Sequence, residues 1–247
     1  MSQDKIESIL KETRRFEPSK EFISNSQLTV ESLAKLKQEA ADNYEKFWAN
    51  LARQEIQWFS PFSEILDERK APNYTWFSDG ELNVSYNCLD VNVSKHPGKK
   101  AVIFEGEKGD VRTLTYSDLL TEVCRFANGL LSLGVQPLDR VIIYMPMVPE
   151  AIIAMQACAR IGAVHSVVFG GFSAKAMRDR IQDANASLVI TADGGYRSGQ
   201  IVPLKESTDT ALQENCDSVK HVVVLQRTQN NIPMKQDRDI WWHELIE

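Results

Sequence analysis

The stretch RVIIYMPMVPEAIIAMQACARIGAVHSVVF, residues 140–169, decides the fold. Its first apolar run, at 140–145, is short and rich in branched residues, which is typical of a strand covered on both faces. Pro149 can open the following helix, because a helix does not use the N–H of its first residue, and that helix ends at Gly162. The run at 165–169 predicts a second strand. A strand, a helix and a second strand in this order predict a parallel βαβ unit.

The same alternation extends on both sides of this stretch. It predicts an α/β fold with a mostly parallel sheet and helices on both faces. Thr115 and Asp118 match a capping box and predict a helix that stops at Gly134. The remaining predicted elements are a hairpin of strands at 101–105 and 111–116, a helix from near Ser173, a strand at 187–191, a helix from Pro203 and a strand at 221–225.

The first 82 residues have a different character. Apolar residues recur at three- and four-residue spacing over residues 30–53, which predicts one long helix with Thr29 as its N-cap. Aromatic residues then follow in a loop-rich segment, at Trp58, Phe59, Phe62 and Trp76. They predict an extended arm pinned onto a larger body, and an aromatic-lined binding site is the alternative.

We therefore predict a helical and extended N-terminal arm over residues 1–82 and an α/β subdomain over residues 83–247. The closing run IWWHELIE predicts the start of a helix or turn, and Trp241 and Trp242 need a packing partner. We expect the α/β subdomain to be truncated at its C-terminal end, within a larger domain.

Charge and composition narrow the class of protein. The formal net charge is -6, with acidic and basic residues interspersed, so no basic stripe is present for a nucleic acid. Local arginines can still bind a small anionic ligand. The N-terminus lacks a secretory h-region, the apolar stretch at 141–171 is interrupted by prolines and charges, and the four cysteines form no CxxC pair. These features predict a cytoplasmic protein without a membrane partner.

Two glycine-bearing turns follow predicted strands, where parallel sheets place their ligands. Phe169, Gly170 and Gly171 come directly before a helix, and the two glycines would let a ligand approach the backbone. An ordinary tight turn is the alternative. The second turn is DGGYRSGQ, residues 193–200, in which Arg197 could hold a phosphate with two parallel hydrogen bonds. A glycine-rich surface loop with a solvated arginine is equally compatible with that spacing.

Catalytic motifs are missing from the sequence. There is no G-x-x-x-x-G-K-[ST] phosphate loop, no G-x-G-x-x-G, no H-E-x-x-H and no G-x-S-x-G. The four histidines are scattered, and no carboxylate pair has a convincing acid–base spacing. We therefore assign no catalytic residue and no metal ligand to this chain.

Several long segments resemble the AMP-forming acetyl-CoA synthetases, a group of adenylate-forming ligases. They are residues 81–90, 123–131, 144–181, 187–205 and 239–246. The similarity is continuous from about residue 75 to the end and extends more weakly over the N-terminal helix. It implies that the chain is an incomplete portion of the large N-terminal domain of such an enzyme.

The resemblance also implies a reaction and a binding site. Acetate would attack the α-phosphate of ATP, with Mg²⁺ present, and the thiol of CoA would then displace AMP from acetyl-AMP. The turn after residue 168 would lie beside the adenine of CoA, and the loop at 197–200 would hold its phosphorylated nucleotide end. The CoA-binding residues implied in this way are Phe169, Gly170, Gly171, Arg197, Ser198, Gly199 and Gln200.

One position departs from the family pattern. The family often carries a second basic residue where this chain has Gln200, so Arg197 is expected to provide most of the phosphate recognition, with help from residues beyond position 247. The family's phosphate loop, of the type YTSGSTGKPKG, its acyl pocket and its catalytic lysine would also follow residue 247. This chain alone is therefore expected to be inactive. The alternatives are a non-catalytic CoA- or nucleotide-binding module and a ligase for propionate or another short acid; the oligomeric state is not predicted.

Overall fold

The computed structural model describes residues 14–247, and the chain divides into two compact units, Met1–Glu55 and Ile56–Glu247. Residues 1–13 of the predicted N-terminal arm lie outside the described residues. The domain boundary that the sequence predicts after residue 82 stays a prediction.

Within residues 14–55, the first unit has three helices: α1, Lys20–Asn25; α2, Val30–Asp42; and α3, Tyr44–Glu55. Thr29 caps α2 as predicted, because its hydroxyl accepts a hydrogen bond of 3.1 Å from the N–H of Ser32. The prediction of one continuous helix over residues 30–53 is wrong. Asn43 leaves the helical conformation (φ -156°), and its side-chain oxygen accepts from the N–H of Lys46 at 3.0 Å. Asparagine favours such a cap, and a break of one residue leaves the apolar spacing nearly intact.

The second unit begins with short elements and then takes up the predicted alternation. A π-helical segment, Tyr86–Asp90, continues into the helix α4. The helices of this unit are α4, Val91–Lys95; α5, Tyr116–Ser132; α6, Pro149–Arg160; α7, Ala174–Ala184; α8, Leu204–Ala211; and α9, Trp242–Leu245. The strands are β1, Leu66–Asp67; β2, Thr75–Trp76; β3, Lys100–Glu105; β4, Val111–Thr115; β5, Arg140–Ile143; β6, Val164–Val167; β7, Leu188–Ala192; β8, Gly195–Arg197; β9, Gln200–Val202; β10, His221–Leu225; and β11, Asp239–Trp241.

Five strands form one parallel sheet in the order β11-β10-β7-β5-β6. Alternate residues of the central strand β5 enter different cores: Val141 and Ile143 pack with α5 and α6, whereas Ile142 packs with α7 and α8. Each of these three side chains is fully buried. Helices therefore cover both faces of the sheet, as the sequence predicts, because a strand buried on both sides needs an apolar neighbour for every side chain.

The hairpin and the helix upstream of the sheet are also confirmed. β3 and β4 pair antiparallel, and the Thr115 hydroxyl accepts a hydrogen bond of 3.1 Å from the N–H of Asp118 at the start of α5. The Asp118 carboxylate accepts in turn from the N–H of Thr115 at 2.9 Å, which completes the capping box. Gly134 follows α5 with φ +82°, a conformation that glycine adopts without steric cost.

The apolar stretch at 141–171 divides into β5, α6 and β6. This is the predicted strand–helix–strand arrangement. Across the described residues, no helix combines the length and the apolar character needed to cross a bilayer.

The end of the chain differs from the sequence-based expectation. Residues Asp239–Trp241 add a parallel edge strand next to β10, and only then does the short helix α9 begin. Trp242 finds its packing partner inside this unit: its ring stacks on Phe126 of α5 with centroids 3.7 Å apart and planes 10° apart. A side chain on Gly129 would meet Leu245 at 2.7 Å, so this glycine lets α9 approach α5 closely.

Candidate functional site

A cavity of about 570 Å³ lies beyond the carboxyl ends of the parallel strands. Residues that follow four of the strands, within a few positions of each strand's end, line this cavity. These are Met145–Val148 after β5, 168–171 after β6, 195–197 after β7 and Arg227 after β10. The end of β3 and the turn that follows it contribute residues 104–107. This edge of a parallel sheet is where α/β proteins place their ligands.

The backbone around the turn Phe169–Gly171 is held by hydrogen bonds from Tyr144, and the turn is open toward the cavity. The hydroxyl of Tyr144 donates to the carbonyls of Gly170, at 3.2 Å, and of Phe172, at 3.0 Å. Burial raises the pKa of Tyr144, and a hydrogen bond with Ser207 offsets part of that rise, so the hydroxyl stays a proton donor. The Phe169 ring, by contrast, is 55% exposed.

The absence of side chains on Gly170 and Gly171 keeps this turn open. A Cβ on Gly170 would lie 3.3 Å from the carbonyl oxygen of Met145, and a Cβ on Gly171 would lie 2.8 Å from Arg197 Nη1. Any side chain at Gly171 would therefore displace the arginine. The helix α7 begins directly afterwards, with the Ser173 hydroxyl accepting from the N–H of Ala176 at 3.3 Å.

The second predicted loop is a β-hairpin that the sequence analysis did not anticipate. β8 and β9 pair antiparallel with Arg197 opposite Gln200, so Ser198 and Gly199 form a two-residue turn. Both have positive φ, +52° and +74°, as tight hairpin turns require. The hairpin directs the guanidinium of Arg197 over the Phe169 ring, with Cζ 5.5 Å from the ring centroid. The two predicted turns therefore meet in space.

The structure separates the seven predicted site residues into two groups. The cavity lining includes Phe169, Gly170, Gly171 and Arg197. Ser198, Gly199 and Gln200 are exposed residues of the adjoining hairpin and do not belong to that lining. The backbone N–H groups of Ser198 and Gly199 both donate to the carboxylate of Glu107, at 3.0 and 2.5 Å.

Arg227 is a second guanidinium of the cavity lining, and the sequence analysis missed it. It forms an ion pair of 2.7 Å with Asp110 and lies over two aromatic rings, 5.4 Å from the centroid of Tyr196 and 5.5 Å from that of Phe104. From the sequence, residues beyond position 247 are expected to assist Arg197 in phosphate recognition. Arg227 is a second cation that lines the same cavity from within the chain. A partial signal was present, because Arg227 comes two residues after the predicted strand at 221–225, but its loop carries no glycine and only the fold brings it to the cavity.

Asp193 holds the main chain of Arg227 in place. This carboxylate is only 1% exposed. It accepts from the N–H groups of Arg227, at 2.8 Å, of Thr228, at 2.9 Å, and of Gln229, at 2.6 Å. A buried carboxylate with several amide donors is well stabilised, so Asp193 connects the loop after β7 to the loop after β10.

The cavity lining brings charged, aromatic and glycine residues together. It combines two guanidinium groups, the carboxylates of Glu105 and Glu107, an exposed phenylalanine and glycine backbone, and among the described lining residues there is no histidine, cysteine or serine. Guanidinium groups suit phosphate oxygens, and an aromatic face suits a planar ring. The arrangement fits a phosphorylated molecule that carries an aromatic ring.

Comparison with known proteins gives the family. Residues 89–244 match the model of the AMP-binding enzymes, and residues 33–88 match the model of the acetyl-coenzyme A synthetase N-terminus. The chain is 54% identical over 244 residues to an acetyl-coenzyme A synthetase of Chromobacterium violaceum, covering 98% of this chain and 37% of the relative. It is 53% identical over 239 residues to the acetyl-coenzyme A synthetase of Pasteurella multocida, covering 96% of this chain and 37% of the relative. The chain thus spans little more than a third of the length of these curated relatives, and within that span it belongs to the family of AMP-binding enzymes.

Proposed function

We propose that this chain is part of an AMP-forming acetate–CoA ligase. Such an enzyme joins acetate to the α-phosphate of ATP with release of pyrophosphate, and the CoA thiol then takes the acetyl group with release of AMP. The family match over residues 89–244 and the identity of 54% to a named acetyl-coenzyme A synthetase support this proposal.

Within that enzyme, the cavity would bind the phosphorylated nucleotide end of CoA. The observation that carries this assignment is the position of Arg197 over Phe169, at 5.5 Å, beside the open glycine backbone. A guanidinium that stacks on a ring keeps its N–H edge available for a phosphate. Phe169 and Gly170 would then lie beside the adenine. Ser198, Gly199 and Gln200 would extend the site along the hairpin.

The other substrates are assigned to the intact enzyme. Within residues 14–247, no group of three or more His, Cys, Asp and Glu side chains is placed to hold a metal ion, and we derive no step through Mg²⁺. ATP and acetate would react at parts of the parent protein outside this sequence, and the chain alone would not form acetyl-AMP. We further propose a cytoplasmic location and a two-part organisation with an arm at 1–82 and an α/β subdomain at 83–247.

Two alternatives were open from the sequence: a non-catalytic CoA- or nucleotide-binding module, and a ligase for propionate or another short acid. No feature of the described cavity favours either of them. The relatives at 53% and 54% identity carry the acetyl-coenzyme A name, which supports acetate as the substrate.

Replacing Arg197 by alanine in the intact ligase is expected to raise the KM for CoA about tenfold or more, since ~1.4 kcal/mol of lost binding corresponds to that factor. Adenylate formation, measured as exchange of pyrophosphate into ATP, should change little because Arg197 lies in the proposed CoA site. Steady-state kinetics and the exchange assay measure the two effects separately.

The matched control is Arg125→Ala, which removes a surface arginine of α5 that pairs with Glu122 at 3.6 Å. It should leave both measurements unchanged. Equal losses in the two half-reactions of Arg197→Ala would contradict the CoA assignment and indicate a structural role.

A further inference from the structure

The turn of the β8–β9 hairpin presents two converging backbone donors. The N–H of Ser198 reaches one carboxylate oxygen of Glu107 at 3.0 Å, and the N–H of Gly199 reaches the other at 2.5 Å. Both donors therefore point toward one small volume next to Arg197. Consecutive backbone N–H groups that converge in this way form an anion-binding concavity.

Glu107 occupies this concavity as an anion from elsewhere in the chain. It lies in the five-residue turn, residues 106–110, that joins β3 to β4, and it lines the same cavity as Arg197 and Phe169. Its carboxylate presents two oxygens and one negative charge to the two amides. A phosphate monoester presents three oxygens and a charge of about −1.5 to −2 at neutral pH, so it would be the stronger acceptor for the same donors.

We propose that the amides of Ser198 and Gly199 form a phosphate subsite, that Glu107 occupies it when no ligand is bound, and that the phosphate of the ligand replaces the carboxylate. The ligand class is a phosphate monoester or diphosphate. The inference rests on the proposed function and deepens it, because it names the donors that receive a phosphate of CoA and the residue that competes for them.

The surroundings of Glu107 allow a phosphate to replace its carboxylate at a small cost in free energy. Glu107, Ser198 and Gly199 are all exposed, so water can replace the hydrogen bonds that the carboxylate gives up, and their net contribution to stability is small. The neighbouring contacts of the turn are also peripheral: Lys108 Nζ lies 4.0 Å from the centroid of the Tyr196 ring, and Asp110 pairs with Arg227 at 2.7 Å. The turn can therefore move Glu107 aside while the strands β3 and β4 stay paired.

Removal of Glu107 is expected to strengthen ligand binding, although losing a hydrogen-bond partner usually weakens it. If Glu107 only stabilised the hairpin, its removal would loosen the loop and weaken ligand binding. If it competes with the ligand, removing its charge frees the two amides and leaves more positive potential around Arg197. Binding of a phosphorylated ligand then becomes tighter.

The test compares the wild-type 247-residue chain with Glu107→Gln by isothermal titration with CoA, with adenosine 3′,5′-bisphosphate and with adenosine. Glu107→Gln is expected to bind the two phosphorylated probes about fivefold or more tightly than wild type, with adenosine unchanged. The matched control is Glu214→Gln, which removes the same charge from an exposed residue between α8 and β10 that is not part of the cavity lining, and it should change the affinity by less than about twofold, since a screened surface charge does not compete for the amides.

A second measurement separates this inference from the CoA assignment. The amide ¹H–¹⁵N signals of Ser198 and Gly199 should shift when pyrophosphate is added, and at lower pyrophosphate concentration in Glu107→Gln than in wild type. Pyrophosphate shifts without any CoA binding would support the subsite and contradict the CoA assignment. Unchanged or weaker binding of every phosphorylated probe in Glu107→Gln, or amide signals that no probe moves, would overturn the subsite.

Discussion

Replacing Lys205 by methionine is expected to lower the free energy of unfolding by about 3 kcal/mol, because the buried carboxylate of Asp239 loses its ammonium partner and keeps only Arg238 as a charged partner. The Lys205 side chain is 1% exposed, and its Nζ lies 2.8 Å from Asp239 Oδ2 and 2.6 Å from Asp209 Oδ2. The side chain of Asp239 is fully buried. Methionine fills a similar volume, so the loss would report on charge rather than on a cavity. Urea denaturation followed by circular dichroism measures it.

The chain offers a close control for this substitution. Lys175 pairs with Asp179 at 2.8 Å with the same four-residue spacing as Lys205 and Asp209, but the two side chains are 79% and 56% exposed. Lys175→Met should therefore cost no more than about 1 kcal/mol. Equal effects of the two substitutions would contradict a stabilising role for the buried network.

The effect of Lys205→Met should depend on pH. Burial alone raises the pKa of Asp239, but hydrogen bonds from Arg238, Lys205 and the N–H of Lys235 lower it further than burial raises it, so the net shift is downward. A carboxyl group with a lowered pKa stabilises the fold above its unfolded pKa, about 3.9, and this stabilisation is lost as the pH falls through the folded value. The difference between wild type and variant should therefore be largest near neutral pH and shrink below about pH 4.

Leu130→Ala is expected to cost about 2–5 kcal/mol of folding free energy, whereas Leu131→Ala should change it by no more than about 0.5 kcal/mol. The two residues are neighbours on α5, so the chemical change and the local sequence are the same. Leu130 is fully buried in the core that α5 and α6 share with the sheet, and Leu131 is 47% exposed. The loss at Leu130 combines the transfer of the removed groups with the cavity left behind.

Urea denaturation of the two variants and of wild type gives this difference directly. The expected order depends on which way α5 faces, since consecutive residues of a helix point about 100° apart. A larger loss for Leu131→Ala would mean that the helix presents its other face to the sheet.

The sequence was most informative where a local pattern has one structural solution. The apolar run at 140–145, Pro149 and Gly162 each act within their own turn or strand, so β5, α6 and β6 appear close to their predicted positions. The capping box of Thr115 and Asp118 is equally local. The hairpin β8–β9 was missed because its strands have three residues each, too few for an alternating pattern. The break at Asn43 was missed because the apolar spacing of residues 30–53 outweighed one capping residue.

The residues of the candidate site also fall into those that a local pattern indicates and those that only the fold brings together. Gly170, Gly171 and Arg197 could be selected one turn at a time, because each follows a predicted strand and carries a residue type suited to an anion. Arg227 and Glu107 could not be assigned to the cavity without the fold, since 31 positions separate Arg227 from Tyr196 and the Glu107 carboxylate binds amides 91 and 92 positions further along the chain.

By itself, the amino-acid sequence determined the α/β class, the two-sided burial of the sheet and the two glycine-bearing turns, because hydrophobic period, capping and turn chemistry act over a few residues. Only the tertiary structure decided which distant groups share the cavity. The parallel pairing of β7 with β5 and β10 aligns the ends of these strands, and that alignment brings Arg227 to the same edge as Arg197, while Asp193 ties the two loops together. Such convergence depends on strand order and register, which no short stretch of the sequence encodes.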